Sequence, residues 1–330
     1  MATSTTEESA PETVQRSVVA AGRHRRRFTC DSPAGEVVLA YLNAQTARLT
    51  ALDVAVRRDK PDAVHQMRVT VRRLRSTLQA YRAIVSGPET KQLLGELKWL
   101  GGLLGAARDS EVLAEHLHAA LAAVPTELVL GPAQARVTAH FSAREASDRG
   151  ELLEALDSKR YRALLIELTR LLDRPPLTPE AAEPAGKVLP RAVGHECKRV
   201  NKRMRRARHA PAGQRRDVAL HETRKAAKRA RYAAEAAAPA LGKKAGPKAR
   251  RLVKRLKHLQ SALGDHQDAV IARAAARDIG VHAHLAGENA FSFGLLHERA
   301  HHQAIEAEHE ARRAWRKARR ASSGGWLSAS

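Results

Sequence analysis

The chain has 330 residues and a mass of 36.0 kDa, room for two average domains or one large one with a packed core. Lys and Arg number 58 against 35 Asp and Glu, a net charge of +23, which calls for a polyanionic partner. Two cysteines, Cys30 and Cys197, exclude a disulfide framework and a four-thiolate zinc site, and 4 Phe, 4 Tyr and 3 Trp leave few rings on which to stack bases.

Residues 1–35 are expected to be a disordered tail, polar throughout and carrying the basic cluster AGRHRRR. It lacks the apolar stretch of a signal peptide, and nowhere does an apolar run reach the ~18 residues of a membrane span. From residue 36 the chain reads as helix, rich in Ala, Leu, Arg, Lys and Glu and without strand-type alternation. The expected helices are 36–58, 62–85, 89–107, 109–123, 132–148 and 150–172. A Pro-rich linker follows at 173–187, then helices at 188–209, 214–237, 247–263, 265–279 and 290–320, and a tail at 321–330. Pro61, Pro88, Pro125, Pro132, Pro190, Pro211 and Pro247 read as breaks.

The two sides of the linker repeat one another. VHQMRVTVRRLRSTLQAY from Val64 matches LHETRKAAKRARYAAEAA from Leu220, aligning His65 with His221, Arg68 with Arg224, Arg72 with Lys228, Arg73 with Arg229 and Arg75 with Arg231. LKWLGGLLGAARD (97–109) matches LKHLQSALGDHQD (256–268), aligning Gly105 with Gly264 and Asp109 with Asp268. Two motifs in one order at nearly one offset indicate duplication. The expected fold is all-α: two similar helical bundles, 36–172 and 188–320, related by pseudo-twofold symmetry.

Helical spacing places the charges. Val64, Met67, Val71, Leu74, Leu78, Tyr81 and Val85 recur at alternating steps of three and four, an apolar stripe that must face a core. His65, Arg68, Arg72, Arg75, Gln79 and Arg82 form the adjoining stripe, a ladder whose rungs lie about 5 Å apart along the axis. His221, Arg224, Lys228 and Arg231 repeat it. On the partner helix Lys91, Gly95, Lys98 and Gly102 share a face, answered by Arg250, Lys254, Lys257 and Ser261; the two glycines read first as close helix packing and second as room for a ligand. His195, Arg199, Lys202 and Arg206 align on the helix before the second ladder. Residues 191–257 hold 23 Lys and Arg against 4 Asp and Glu, too few acids to neutralise them by i,i+4 pairing. DNA, RNA and inorganic polyphosphate would all meet such donors, but a ladder without aromatics suits a chain of bare phosphates best.

The ladder helix, the LGAARDSEV element and their second copies, LHETRKAAKRARY and LGDHQDAVI, resemble the CHAD family of histidine-bearing α-helical domains over roughly 36–320. The resemblance implies two bundles around a basic groove or pore, binding of inorganic polyphosphate and association with polyphosphate granules; the two cysteines suit a reducing cytoplasm, and no cofactor is expected. It carries over to His65, Arg68, Arg72, Arg73 and Arg75 and to His221, Arg224, Lys228, Arg229 and Arg231. Two departures stand out. Thr223, Ala227, Ala230 and Ala234 shrink the second apolar stripe, so its packing must be tighter or filled by the other half. The ExExK motif of triphosphate-hydrolysing relatives is absent, so hydrolysis does not carry over.

Enzyme signals are weak. HERAH (297–301) matches H-E-x-x-H, but Ala307 stands where the extended motif needs a third His. Asp265, His266 and Asp268 of GDHQD are too close together for a whole metal site, and Asp109 and Asp268 read as helix N-cap or first-turn acids. His65 and His221 read equally as buried hydrogen-bonding residues and as phosphate donors that act when protonated. The sequence reading is therefore a non-enzymatic polyphosphate binder without a metal; the alternatives are a nucleic-acid-binding module and a scaffold for an acidic protein.

Overall fold

The computed structural model describes residues 27–327; the expectations for residues 1–26 and 328–330 fall outside them. Among the described residues there are nine α-helices and no strand beyond two isolated bridges: α1 (Ala34–Arg57), α2 (Ala63–Ala80), α3 (Pro88–Ala122), α4 (Ala133–Asp157), α5 (Lys159–Asp173), α6 (Ala185–His209), α7 (Gln214–Ala237), α8 (Gly242–Leu285) and α9 (Phe291–Ser322). Helices adjacent in sequence pack on one another within 34–122 and within 185–322, and α2 joins the two sets by lying against α7.

The apolar stripe of α2 behaves as its spacing requires. Met67, Val71, Leu74 and Leu78 are all buried, with Leu97, Leu100 and Leu104 of α3 facing them. Helix α7 solves the small-residue problem by being central. Ala226, Ala227, Ala230, Ala233, Ala234, Ala236 and Ala237 are buried, so neighbours approach its backbone closely on several sides. The Oη of Tyr81, at the end of α2, donates to the Ala233 carbonyl of α7 at 2.6 Å. Leucine at Ala230, which has no exposed surface, should cost about 1–3 kcal/mol of stability through overpacking, read as a lower urea midpoint. An unchanged midpoint would show slack around α7.

Helices α3 and α8 run on past this main core into a second, smaller one. There Ala114, Leu117 and Leu121 of α3 meet Val137 and Phe141 of α4, Ala276 and Ile279 of α8, and Phe293 and Leu296 of α9. The predicted breaks near 108 and 264 are therefore absent: Pro88–Ala122 is a single helix, and so is Gly242–Leu285. Glycine followed by an acid reads as a stop and restart, and its cost in a helix is only about 1 kcal/mol, which packing at both ends outweighs. Pro190 and Pro247, read as breaks, are each the sixth residue of a helix, so each removes one i→i−4 bond in the second turn without ending the helix. The 150–172 helix is split by Ser158, whose hydroxyl accepts from the Tyr161 amide and caps α5.

The Pro-rich 173–187 segment is strapped down. Ser86 and Thr178 amides donate to the Pro176 and Ile84 carbonyls, and Ala34 and Ala185 amides to those of Glu183 and Ser32. The segment read as a C-terminal tail contributes Trp326 and Leu327 to the core.

Candidate anion-binding site

The two ladders face each other where α2 crosses α7. Arg68 and Arg72 come from α2, Arg224 and Lys228 from α7, and the charges of Arg68 and Arg224 are close enough to lower the pKa of both Arg72 and Lys228. They lie at the level where the main core ends, at Leu104 and Leu263, and before the second begins, at Ala114 and Ala272.

Each half contributes the same device. Arg68 forms a two-pronged ion pair with Asp109, Nη1 to Oδ1 at 2.6 Å and Nη2 to Oδ2 at 3.3 Å. Arg224 Nη1 lies 3.9 Å from Asp268 Oδ1. The guanidinium in each case lies over the glycine four residues before the acid. A Cβ on Gly105 would sit 3.6 Å from Arg68 Nη2, and one on Gly264 only 3.1 Å from Arg224 Nη2. Gly105 and Gly264 thus leave room for Arg68 and Arg224. Asp109 and Asp268 lie in mid-helix, so they are neither N-caps nor first-turn acids; they partner the ladder. Their repetition together with Arg68 and Arg224 was the signal in the sequence for that pairing.

Between these pairs sit Arg72 and Lys228, which form no ion pair with any described carboxylate. Arg72 lies beside the Tyr232 hydroxyl, and its Nε, like that of Arg224, is buried without a hydrogen-bond partner. Burial first, then Arg72, Arg224 and Arg68, pulls the Lys228 ammonium down to about 6. These side chains are partly enclosed between helices, because α2 and α7 pack on each other. Unsatisfied donors and uncompensated like charges in one enclosed place are costly unless an anion relieves them.

His65 and His221 flank the cluster, both half-buried, with burial lowering both imidazoles. Nδ1 of His221 lies 2.8 Å from Oε1 of Gln267 on α8. With that nitrogen donating, Nε2 becomes a donor to phosphate only on protonation. His65 sits near Arg68, Arg72 and Arg108, a third cation with a buried, unpartnered Nε.

Other predicted residues are placed elsewhere. Arg73 and Arg231 both bond to Glu235, at 3.5 and 3.3 Å, and lie over the Tyr232 ring. Arg229 joins Glu196 of α6, at 2.7 Å, to Gln79 of α2, at 3.0 Å. Arg73 and Arg229 tie α7 to α2 and α6, Arg231 pairs within α7, and none of the three enters the cluster. Arg75 is half-buried and Arg199 pairs with Glu196 at 3.7 Å. Lys91, Lys98, Lys202, Arg206, Arg250, Lys254 and Lys257 are exposed on the helix surfaces. Gly95 and Gly102 have nothing within 4 Å of a built Cβ, so close helix packing is not their role. They leave the Lys91–Lys98 face of α3 open.

Beyond Asp268 lies a cavity of about 830 Å³ whose lining includes Asp265, Asp268, Glu306 and Glu310. Its carboxylates oppose phosphate, so the cationic side of Asp268 is the one suited to an anion. His266 is turned away into the core, 3.4 Å from Asp217, which also meets Arg273 at 3.4 Å. Arg273 in turn sits 3.0 Å from Nδ1 of His301, which occupies one nitrogen of the H-E-x-x-H pair. Among the described residues no three His, Cys, Asp or Glu side chains converge as a metal would require. No described helix is long and apolar enough to cross a membrane.

The CHAD domain model matches residues 40–277, a span that holds Arg68, Arg72, Arg224 and Lys228. The chain belongs to the CHAD domain family. Two Mycobacterium tuberculosis proteins, each described only as uncharacterized, are 35% identical over 297 residues, covering 87% of this chain and 55% of each relative. The chain thus spans about half the length of the curated relatives it matches. A crystal structure of the CHAD domain from the plant Ricinus communis is similar with a TM-score of 0.66 and 26% identity, over 89% of this chain and 95% of that one. PptA from Streptomyces chartreusis gives a TM-score of 0.72 at 23% identity, over 86% of this chain and all of that one, which shows a shared fold.

Proposed function

We propose that this CHAD protein binds inorganic polyphosphate without turning it over, and that binding places it on polyphosphate granules in the cytoplasm. In this reading the halves are duplicates whose ladders form one basic groove, with Arg68, Arg72, Arg224 and Lys228 at its centre. Lys91, Lys98, Arg250, Lys254 and Lys257 lead into it. The observation that carries the reading is the enclosed convergence of four basic side chains on only two carboxylates, with donors of Arg72 and Arg224 left unpartnered. Phosphate oxygens satisfy such donors, and a flexible chain can follow them from one ladder to the next.

The few aromatic rings count against reading bases. Tyr81, Tyr161 and Tyr232 are buried, Trp99 lies under Arg160 at 4.2 Å, and Trp315 is buried with its Nε1 donating to Asn201. Long-chain polyphosphate should therefore outcompete single- and double-stranded DNA and RNA at equal phosphate concentration and fixed salt. Equal competition would return the choice to nucleic acid. Product release from polyphosphate or nucleoside triphosphates, with or without magnesium, would overturn the non-enzymatic part.

Asp109 and Asp268 occupy Arg68 and Arg224 in the free protein and act as internal competitors for the phosphate. Asp109→Asn with Asp268→Asn should tighten binding several-fold, since exposed pairs of this kind contribute about 0.2–1 kcal/mol each. Weaker binding by that variant would mean the acids position the arginines more than they mask them.

A further inference from the structure

A second cationic cavity lies away from the ladders. It is about 390 Å³ in volume and is formed where α8 and α9 meet the 3-10 turn Gly325–Leu327. Lys248, Arg251 and Arg255 of α8 and Lys317 and Arg320 of α9 converge on it, with the Trp326 ring as part of its wall and no carboxylate in its lining. None of the five is ion-paired to a described residue. Only Arg255 is half-buried; the other four are exposed.

This is a different surface from the ladder site. Gly264 and Gln267 mark the flank of α8 that meets α7, through Arg224 and His221. The cavity is on the flank that packs on α9, where His258 of α8 lies 3.2 Å from Glu310 of α9.

Ordinary helix electrostatics accounts for only part of it. Arg319 and Arg320 end α9, where cations are favoured by the helix dipole. Lys243, Lys244 and Lys248 lie in the first two turns of α8, where the dipole opposes them. After Glu310 the chain carries Arg312, Arg313, Arg316, Lys317, Arg319 and Arg320 without another acid. Two cationic helix ends are thus held side by side with no internal compensation, which an external anion supplies.

We propose that this cavity is a second phosphate-chain site, taking a short run of linked phosphates on Arg251, Arg255, Lys317 and Arg320. If the ladder also binds polyphosphate, as proposed above, the protein holds two segments at once on opposite flanks of α8. It then cross-bridges polyphosphate chains and condenses them, beyond simply riding on them.

The test is calorimetric titration of the whole chain with tripolyphosphate, too short to wrap a helix whose diameter with side chains is about 10 Å. Wild type should take up two equivalents. Arg251→Glu with Lys317→Glu, both exposed and so compatible with folding, should take up one. Arg68→Gln with Arg224→Gln should also take up one. Trp326 supplies a local signal: its emission should respond to tripolyphosphate in wild type and in the ladder variant but not in the cavity variant. Two equivalents retained by the cavity variant, or an emission change surviving in it, would overturn the proposal. One equivalent in wild type, lost only in the ladder variant, would overturn it as well while leaving the ladder reading intact. Uptake lost only in the cavity variant would support the second site and remove the first. With long-chain polyphosphate, wild type should scatter light through bridging and the cavity variant should stay clear; equal scattering would overturn the cross-bridging.

Discussion

Exchange of Arg68 and Arg224 for glutamine in one chain should cost most of the affinity for polyphosphate while leaving the helical content unchanged. The side chains are 25% and 22% exposed, so neither is needed to fill the core. Glutamine keeps part of the length and a polar end, and it sets Asp109 and Asp268 free towards solvent without burying new charge. Each arginine offers charge-assisted hydrogen bonds worth about 1.5–3 kcal/mol, so the pair should cost on the order of a hundredfold or more. The slope of log affinity against log salt should also fall by about one per arginine removed, since each releases condensed counterions when it meets a phosphate. Titration at two salt concentrations reads both effects. Affinity lost with an unchanged slope would mean that the arginines support the site without touching phosphate. Affinity and slope both unchanged in a folded variant would place the principal site elsewhere.

The sequence was informative about faces and poor at tertiary neighbours. The three–four spacing from Val64 to Leu78 describes one side of α2, and Met67, Val71, Leu74 and Leu78 are buried there. The alanines of the second stripe pointed correctly to close packing, because a helix without bulk on any side can only be central. The ladder positions divided for a reason that a linear pattern hides. Residues one step apart on a helix differ by about 100°, so Arg72 enters the cluster while Arg73 turns to Glu235, and Lys228 enters while Arg229 turns to Glu196. Periodicity gives each face, but only the crossing of α2 with α7 selects which cations meet. Gly105 and Gly264 recur in the matched motif, yet only the folded chain shows that each makes space for a guanidinium from another helix. Gly95 and Gly102, identical in type and on the same helix, face open space, and nothing local distinguishes the two pairs.

Lys228→Met should make the protein more stable and its hold on polyphosphate weaker. The free protein keeps this amino group half-buried among Arg72, Arg224 and Arg68, with its pKa pulled down to about 6. Unfolded, a lysine titrates near ~10.4. Between those values the unfolded chain holds a proton that the folded chain lacks, so stability at this position falls as pH drops from ~10.4 to about 6 and changes no further below. At neutral pH most of that cost is present. Methionine removes it, for an expected gain of about 1–4 kcal/mol, the range found when buried charges give way to apolar groups. The gain should shrink towards zero near pH ~10.4, where the lysine is neutral in both states. Phosphate between Arg72 and Lys228 reverses the local field and raises the lysine's pKa, so the complex holds an extra proton and affinity rises as pH falls towards about 6. At lower pH two further changes act in the same direction. Asp268, raised above the ordinary carboxylate range by burial against the pull of Arg224, loses its charge, and His65 and His221 gain theirs. Calorimetry in buffers of different ionisation heat counts the protons taken up at neutral pH, and urea midpoints read the stability. The variant should lose that uptake while keeping the strengthening at more acid pH. Uptake equal to wild type would assign the proton to another group and leave Lys228 a structural charge, whereas a less stable variant would show that its ammonium is already compensated in the free protein.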